Sequence, residues 1–171
     1  MDFMKTLLLL RHANSRLIDP TLSDNMRPLT YQGKQDVYIM GKFLISKKLI
    51  PDIIICSNAK RAFETSKLIA EYVNYHNEIH LSKLLYQTTA KYYLNVISNI
   101  SDKNNMVLLV GHNPILENLV EIITNELRIM KTCSLAHIVL PINSWIEIKI
   151  QTKGKLIELF DIKNLNNVDS I

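Results

Sequence analysis

The chain of 171 residues is long enough for one domain with a sizeable core, because a domain of this size buries about 70% of its unfolded surface. Its 20 Lys and Arg against 16 Asp and Glu give a net charge of +4, which suits an anionic ligand but is too dispersed to indicate nucleic-acid binding. The two cysteines exclude a disulfide scaffold, and the amino-terminal apolar run is too short for a signal peptide or a membrane span. We therefore expect a cytoplasmic protein that binds neither nucleic acid nor membranes.

Strand-like and helix-like segments alternate over the first two thirds of the chain, a pattern typical of a parallel sheet covered by helices. The predicted strands are residues 6–11, 52–56, 79–85 and 106–110. The predicted helices are residues 31–50, 59–75, 91–100 and 114–128. Thr30 is a suitable N-cap for the first helix, and Asn113 followed by Pro114 is a strong start signal for the last.

The carboxyl-terminal third alternates or runs apolar over residues 135–140, 145–151 and 156–162, with polar turns between them. These segments predict antiparallel strands added to the sheet. The sequence therefore predicts an α/β fold, a three-layer α/β/α sandwich whose sheet is mostly parallel with antiparallel carboxyl-terminal strands. We expect residues 1–163 to form a single domain and residues 164–171 to be a mobile tail.

Two histidines stand where predicted buried strands end. His12 follows Arg11 after four leucines, and His112 follows Gly111, which lets the chain turn sharply after a second apolar run. The carboxyl ends of parallel strands meet at one edge of a sheet, where open α/β folds bind ligands, so both histidines should share one mouth. A backbone carbonyl can hold His12 in one tautomer, leaving its other nitrogen as a nucleophile. The alternatives are a surface Arg-His pair and, for His112, a helix-start neighbour without a ligand.

Two arginines expected at the same edge of the sheet favour a phosphoryl ligand. Arg11 matches phosphate oxygens with its guanidinium fork, and Arg61 lies in the first turn of a helix, where the helix dipole attracts anions. A protonated His112 could neutralise the transferring group. Arg61 could instead be a solvated helix residue, and Ser57 could cap its helix or bond an active-site group.

The remaining histidines and the cysteines do not indicate a metal site. His76 and His80 have the spacing of a zinc pair, but no third ligand joins them. His137 alternates within a predicted strand, which indicates a structural role. We therefore expect no metal and no cofactor, since the arginines and histidines can supply the positive charge.

Three motifs in chain order resemble those of the histidine phosphatase, or phosphoglycerate-mutase-like, superfamily. The first is Arg-His after the first strand, and the others are carried by Ser57, Arg61, Ala62 and Thr65 and by Gly111-His112. Ala13 stands where the family has glycine, which tightens that loop slightly. The resemblance implies a phosphoglycerate-mutase-like fold. It also implies that His12 attacks phosphorus while Arg11, Arg61 and His112 hold the phosphoryl oxygens, before water releases phosphate.

Within the superfamily, the short chain and its 24–33 segment resemble phosphohistidine phosphatases of the SixA type. That segment carries Asp24 and Arg27, which the resemblance places at the substrate. Residues 84–90 contain no carboxylate to protonate an alkoxide, whereas imidazole leaves more readily. The proton for the leaving group would come from Asp24 or from solvent, and the alternative role of Asp24 is a salt bridge with Arg27 that orders the loop.

The resemblance therefore implies a metal-independent phosphatase that acts on phosphohistidine in a protein, such as a phosphotransfer domain or a phosphotransferase-system carrier. One alternative is a phosphatase for small phosphomonoesters, either sugar phosphates or nucleotides. A further alternative is a phosphate-binding interaction module without catalysis.

Overall fold

A computed structural model of the chain describes residues 4–17, 21–86 and 89–165. Within them lies a six-stranded sheet with the strand order β3-β2-β4-β1-β5-β6. The strands are Lys5–Arg11 (β1), Ile53–Ser57 (β2), Ile79–Ser82 (β3), Met106–Gly111 (β4), Leu135–Leu140 (β5) and Lys155–Phe160 (β6). The first four strands pair in parallel, and β5 and β6 are antiparallel to their neighbours. The predicted mostly parallel sheet with antiparallel carboxyl-terminal strands is confirmed.

Helices cover both faces of this sheet. They are Tyr31–Ser46 (α1), Lys60–Tyr72 (α2), Ala90–Ser98 (α3), Ile115–Thr124 (α4) and the short Ile162–Leu165 (α5). The leucines of β1 explain the three layers: Leu7 and Leu9 join the core under α3 and α4, whereas Leu8 and Leu10 join the core under α1 and α2. No helix in the described part of the chain is long and apolar enough to cross a bilayer.

The predicted strand at residues 145–151 is wrong. Residues Trp145–Glu147 form a 3₁₀ turn instead, because Asp102 accepts hydrogen bonds from the Trp145 backbone N–H and the Ser144 hydroxyl, at 2.8 and 2.7 Å. The indole N–H of the fully buried Trp145 donates to the Asn104 carbonyl at 2.7 Å. Trp145 and Ile148 of this segment therefore fill one end of the core, Ile146 and Ile150 are exposed, and the segment adds no strand.

Several predicted boundaries also differ. The first helix, expected over residues 31–50, ends at Ser46. The strand expected over residues 79–85 ends at Ser82 and continues as a 3₁₀ turn, and α4 ends at Thr124 because Asn125 adopts the left-handed conformation, with φ 58°. Asn113 is not an N-cap, since its side-chain amide donates to Glu117 and to the Met130 carbonyl. Of the predicted tail, residues 164–165 end α5, and residues 166–171 lie outside the described residues.

Candidate active site

A cavity of about 330 Å³ opens where β1 and β4 end. Among the described residues, its lining comprises Arg11, His12, Asn14, Ser15, Arg27, Arg61, His112, Asn113 and Thr132. This lining contains three arginines and no carboxylate, so it favours an anion. A larger cavity of about 630 Å³ lies between α1 and β6, and neither of the strand-end histidines lines it. We place the candidate active site in the smaller cavity because the ionisable side chains converge there.

His12 is held in one tautomer. Its Nδ1 lies 2.8 Å from the Ala13 carbonyl oxygen, which only accepts, so Nδ1 carries the proton and Nε2 keeps its lone pair. The Arg61 Nε–H donates to that Nε2 at 3.2 Å. Burial, reinforced by the positive charges of Arg61 and Arg11, lowers the pKa of His12 to about 4. The imidazole is therefore neutral at neutral pH, the form that a nucleophile requires.

His112 faces His12 with ring centroids 5.0 Å apart. Its Nε2 lies 2.8 Å from Ser57 Oγ, and the same oxygen accepts the backbone N–H of Ala59 at 3.2 Å. The Ser57 hydroxyl can donate its hydrogen to Nε2, and in that tautomer the His112 proton is on Nδ1. Ser57 does not occupy the N-cap position of α2, which is Ala59. Its hydroxyl instead orients an active-site histidine.

The structure does not support the expectation of a protonated His112. Burial, followed by the charges of His12 and Arg61, lowers its pKa to about 3. A cation in this position would be desolvated and would face several arginines, so the neutral ring is favoured. A neutral His112 can still donate one hydrogen bond from Nδ1 to an anion.

Buried polar atoms without a hydrogen-bond partner surround the same space. In the described part of the chain, four buried side-chain polar atoms lack a hydrogen-bond partner, and three of them belong to cavity-lining residues: Arg11 Nε, His112 Nδ1 and Asn113 Oδ1. Arg11 is fixed through its Nη1, which donates to the Met130 carbonyl at 2.8 Å. Leaving a buried donor unpaired costs about 1–3 kcal/mol. An anion that accepts from Arg11 Nε and His112 Nδ1 would remove that cost.

Asp24 organises the two arginines that the sequence placed near it. Its Oδ1 accepts from Arg27 Nε at 2.8 Å, and its Oδ2 accepts from Arg61 Nη2 at 3.0 Å. A hydrogen bond from Tyr86 and these bonds from the two arginines lower the pKa of Asp24 to about 2. Because the carboxyl group is ionised at neutral pH, this geometry favours the ion pair with Arg27 over a role as proton donor.

Tyr86 is a site residue that sequence reasoning missed. Its hydroxyl donates to Asp24 Oδ2 at 2.7 Å, and its ring lies edge-on to the His112 ring at 5.7 Å. Tyr86 lies in the 84–90 stretch, which contains no carboxylate. An aromatic residue with a polar tip in that stretch was the available signal.

Two motif residues act by closing the loop after β1. The Thr65 hydroxyl accepts the Ala13 backbone N–H at 3.1 Å and donates to the Arg61 carbonyl at 2.7 Å, which ties the loop to α2. Gly33 lies so close to the Asn14 carbonyl that a Cβ there would overlap the oxygen. The threonine of the second motif and the glycine of the 24–33 segment therefore both position residues beside His12.

Gly111 has a different role from the expected sharp turn. Its φ is not in the left-handed region, and an added Cβ would lie 2.5 Å from the Tyr93 hydroxyl oxygen. This hydroxyl donates to the Leu85 carbonyl at 2.8 Å. Gly111 thus makes room for a buried tyrosine beneath the site.

The chain is similar in sequence to a plant protein. No model of a known protein family matches the sequence. An uncharacterized protein of Arabidopsis thaliana, described as chloroplastic, is 31% identical over 152 residues, which cover 84% of this chain and 70% of that protein.

Solved structures share the fold over nearly the whole chain. The protein histidine phosphatase SixA complexed with tungstate has a TM-score of 0.78 at 20% identity, covering 94% of this chain and 99% of its own. A protein of Agrobacterium tumefaciens provisionally named phosphohistidine phosphatase SixA has a TM-score of 0.79 at 24% identity, with 92% and 97% covered. A phosphoglycerate mutase from Bacillus anthracis has a TM-score of 0.74 at 14% identity, with 99% and 98% covered. These likenesses confirm the predicted phosphoglycerate-mutase-like fold.

Proposed function

We propose that this chain, which belongs to the same family as the Arabidopsis protein and has the fold of the histidine phosphatases, is a phosphatase that acts through a phosphohistidine on His12. One observation carries the proposal. A neutral His12 with its lone pair on Nε2 lies in a cavity where two buried nitrogens, Arg11 Nε and His112 Nδ1, have no hydrogen-bond partner. A phosphoryl group supplies both the acceptor oxygens and the electrophile that this arrangement lacks.

The reaction has two steps. In the first, a phosphoryl oxygen takes over the hydrogen bond that Arg61 Nε donates to His12 Nε2, which frees the lone pair to attack phosphorus. The new N–P bond forms as the bond to the leaving group breaks, and the leaving group departs with its electron pair and takes a proton from solvent. Water then attacks the phosphohistidine, releases phosphate and restores neutral His12.

The chemistry of the leaving group favours phosphohistidine on a protein as the substrate. Asp24 is ionised, and the nearby Glu64 and Glu117 accept the backbone N–H groups of Leu29 and Met130 at 2.7 and 2.8 Å. None of these carboxylates is placed to protonate an alkoxide, whereas an imidazole leaves once its free nitrogen is protonated by water. The shared fold with two proteins named SixA supports the same assignment.

On this proposal, the partner is a phosphohistidine-bearing protein, either a phosphotransfer domain or a phosphotransferase-system carrier. The proposed role is signal transduction in the cytoplasm. An open cavity of about 330 Å³ suits a single phosphorylated side chain carried by another protein. The Arabidopsis relative is described as chloroplastic, whereas we propose the cytoplasm as the compartment of this chain.

The test is phosphate release from a phosphohistidine-bearing carrier protein, measured beside a panel of sugar phosphates and nucleotides. Three proteins are compared: wild type, His12→Ala and His80→Ala, which removes an exposed histidine from β3. We expect release from the carrier with wild type and His80→Ala, and none with His12→Ala. Turnover of small esters alone would indicate the phosphomonoesterase. Phosphate binding without turnover of either substrate would indicate a non-catalytic module.

A further inference from the structure

Tyr86 contacts three groups of the candidate site from the segment that follows β3. Its hydroxyl donates to Asp24 Oδ2 at 2.7 Å, the Arg61 guanidinium carbon lies 5.9 Å from its ring centroid, and the His112 ring lies 5.7 Å away, edge-on. The contact with Arg61 is within the range of a cation–π interaction. One side chain therefore touches a phosphate-binding arginine, the second histidine and the carboxylate between two arginines.

The Tyr86 hydroxyl completes the hydrogen-bond shell of Asp24. Oδ1 accepts from Arg27 Nε and lies 2.8 Å from Arg27 Nη2, while Oδ2 accepts from Arg61 Nη2 and from Tyr86. A carboxylate has about four lone-pair directions, and these donors occupy them all. Because Asp24 is half-exposed, water would replace the phenol if the hydroxyl were removed, and the carboxylate would be less firmly placed.

The placement of Asp24 fixes the orientation of Arg61. Arg61 Nη1 donates to the Asp24 backbone carbonyl at 2.7 Å and Nη2 donates to its side chain, so both outer nitrogens point away from His12. The remaining edge of the guanidinium, at Nε, then points at His12 Nε2. A continuous series of hydrogen bonds thus connects the Tyr86 hydroxyl to the proposed nucleophile.

We infer that Tyr86 is a positioning residue of this site, which completes the shell of Asp24 and thereby holds Arg61 with its Nε toward His12. The inference rests on the proposed function, because it assigns Tyr86 to the phosphoryl site of that reaction. Tyr86 does not serve as the proton donor to the leaving group. Burial and the hydrogen bond to Asp24 raise the pKa of its phenol, and deprotonation would put a phenolate beside a carboxylate.

The test is a double-mutant cycle between Tyr86 and Asp24. The affinity for inorganic phosphate, measured by calorimetry, and kcat/KM on the phosphohistidine carrier are determined for wild type, Tyr86→Phe, Asp24→Asn and the double variant. We expect Tyr86→Phe to lower both quantities by about fivefold, the worth of a partly screened hydrogen bond to a charged group. In the Asp24→Asn background the same change should cost less than about twofold, because Tyr86 acts through that carboxylate.

Tyr92→Phe is the matched control, since Tyr92 lies on α3 with its side chain 46% exposed, and it should behave as wild type. Circular dichroism verifies that each variant is folded. Equal losses from Tyr86→Phe in both backgrounds, or no loss in either, would overturn the inference. Phosphate affinity can be measured without turnover. A wild type that binds phosphate but hydrolyses no substrate would therefore reject the proposed function. The double-mutant cycle in phosphate affinity would then still test the role of Tyr86. A wild type that does not bind phosphate would overturn both.

Discussion

Arg61 Nε donates its hydrogen to His12 Nε2 across 3.2 Å, so an arginine of the cavity occupies the lone pair that the proposed reaction needs. The outer nitrogens of the same arginine are held by Asp24. In the proposed reaction, a phosphoryl oxygen that enters between the two side chains would take the hydrogen and expose the lone pair. Binding of the anion and activation of the nucleophile would then be one event.

Arg61→Lys should lower kcat/KM by about 100-fold or more, because a single ammonium group cannot bond Asp24 with two nitrogens and also reach His12. Initial rates on the phosphohistidine carrier measure this effect. Arg128→Lys is the control, since Arg128 is a half-exposed arginine beyond α4 that does not line the cavity. A twofold change or less in Arg61→Lys would show that a simple positive charge is sufficient.

The pH dependence of kcat/KM should follow the neutral form of His12. Burial and the neighbouring arginines lower the pKa of this histidine to about 4, so the lone pair persists well below neutral pH and is lost as the pH falls through that value. We expect the ionisation of His12 to cause no decline in kcat/KM between about pH 8 and about pH 5.5, and a decline below that range. A half-maximal rate near pH 6.5, the ordinary value for histidine, would contradict the proposed environment of His12.

Both site histidines should make the folded protein less stable in mild acid. Their pKa values are about 4 and about 3 in the folded state, below the ordinary value near 6.5, so the unfolded chain binds protons more readily. Stability is then fully present above the unfolded pKa and decreases as the pH falls toward the folded values. Each histidine should lower the free energy of unfolding by about 2 kcal/mol between about pH 7.5 and about pH 5.

Urea unfolding at the two pH values measures this loss. His112→Gln cannot take up the proton, so its loss over the same interval should be smaller than that of wild type by about 2 kcal/mol. Tyr92→Phe, which changes no histidine, should show the same loss as wild type. An equal loss in His112→Gln and wild type would mean that the pKa of His112 is not lowered in the folded protein.

Gly111→Ala should destabilise the protein by about 1–3 kcal/mol, because the new methyl group would lie 2.5 Å from the Tyr93 hydroxyl in a packed core. Thermal unfolding gives the shift. Tyr93→Phe removes that oxygen, so adding Gly111→Ala to it should cost clearly less than Gly111→Ala alone. A cost that is the same in both backgrounds would place the clash elsewhere.

Local patterns in the sequence were sufficient to predict the six strands of the sheet and the positions of the two histidines, although they also predicted a strand at residues 145–151 that does not form. The four leucines of β1 predict a strand buried on both faces, and the polar residues directly after β1 and β4 predict a shared mouth, because parallel strands end at one edge. The error at Trp145 has a physical cause, since Asp102, more than forty residues away, captures the backbone and side chain of that turn. Tyr86 was missed for a related reason: its partner Asp24 lies 62 residues away in the chain.

The sequence by itself therefore determined the fold class and the positions of His12, Arg11, Arg61 and His112, because strand patterns and motif spacing are local properties of the chain. Tertiary structure decided the properties of those side chains. The tautomer of His12, the neutral state of His112 and the ionised state of Asp24 depend on burial and on partners brought from distant segments. Protonation and hydrogen bonding respond to the nearest few ångströms of space, and only the folded chain specifies which residues occupy them.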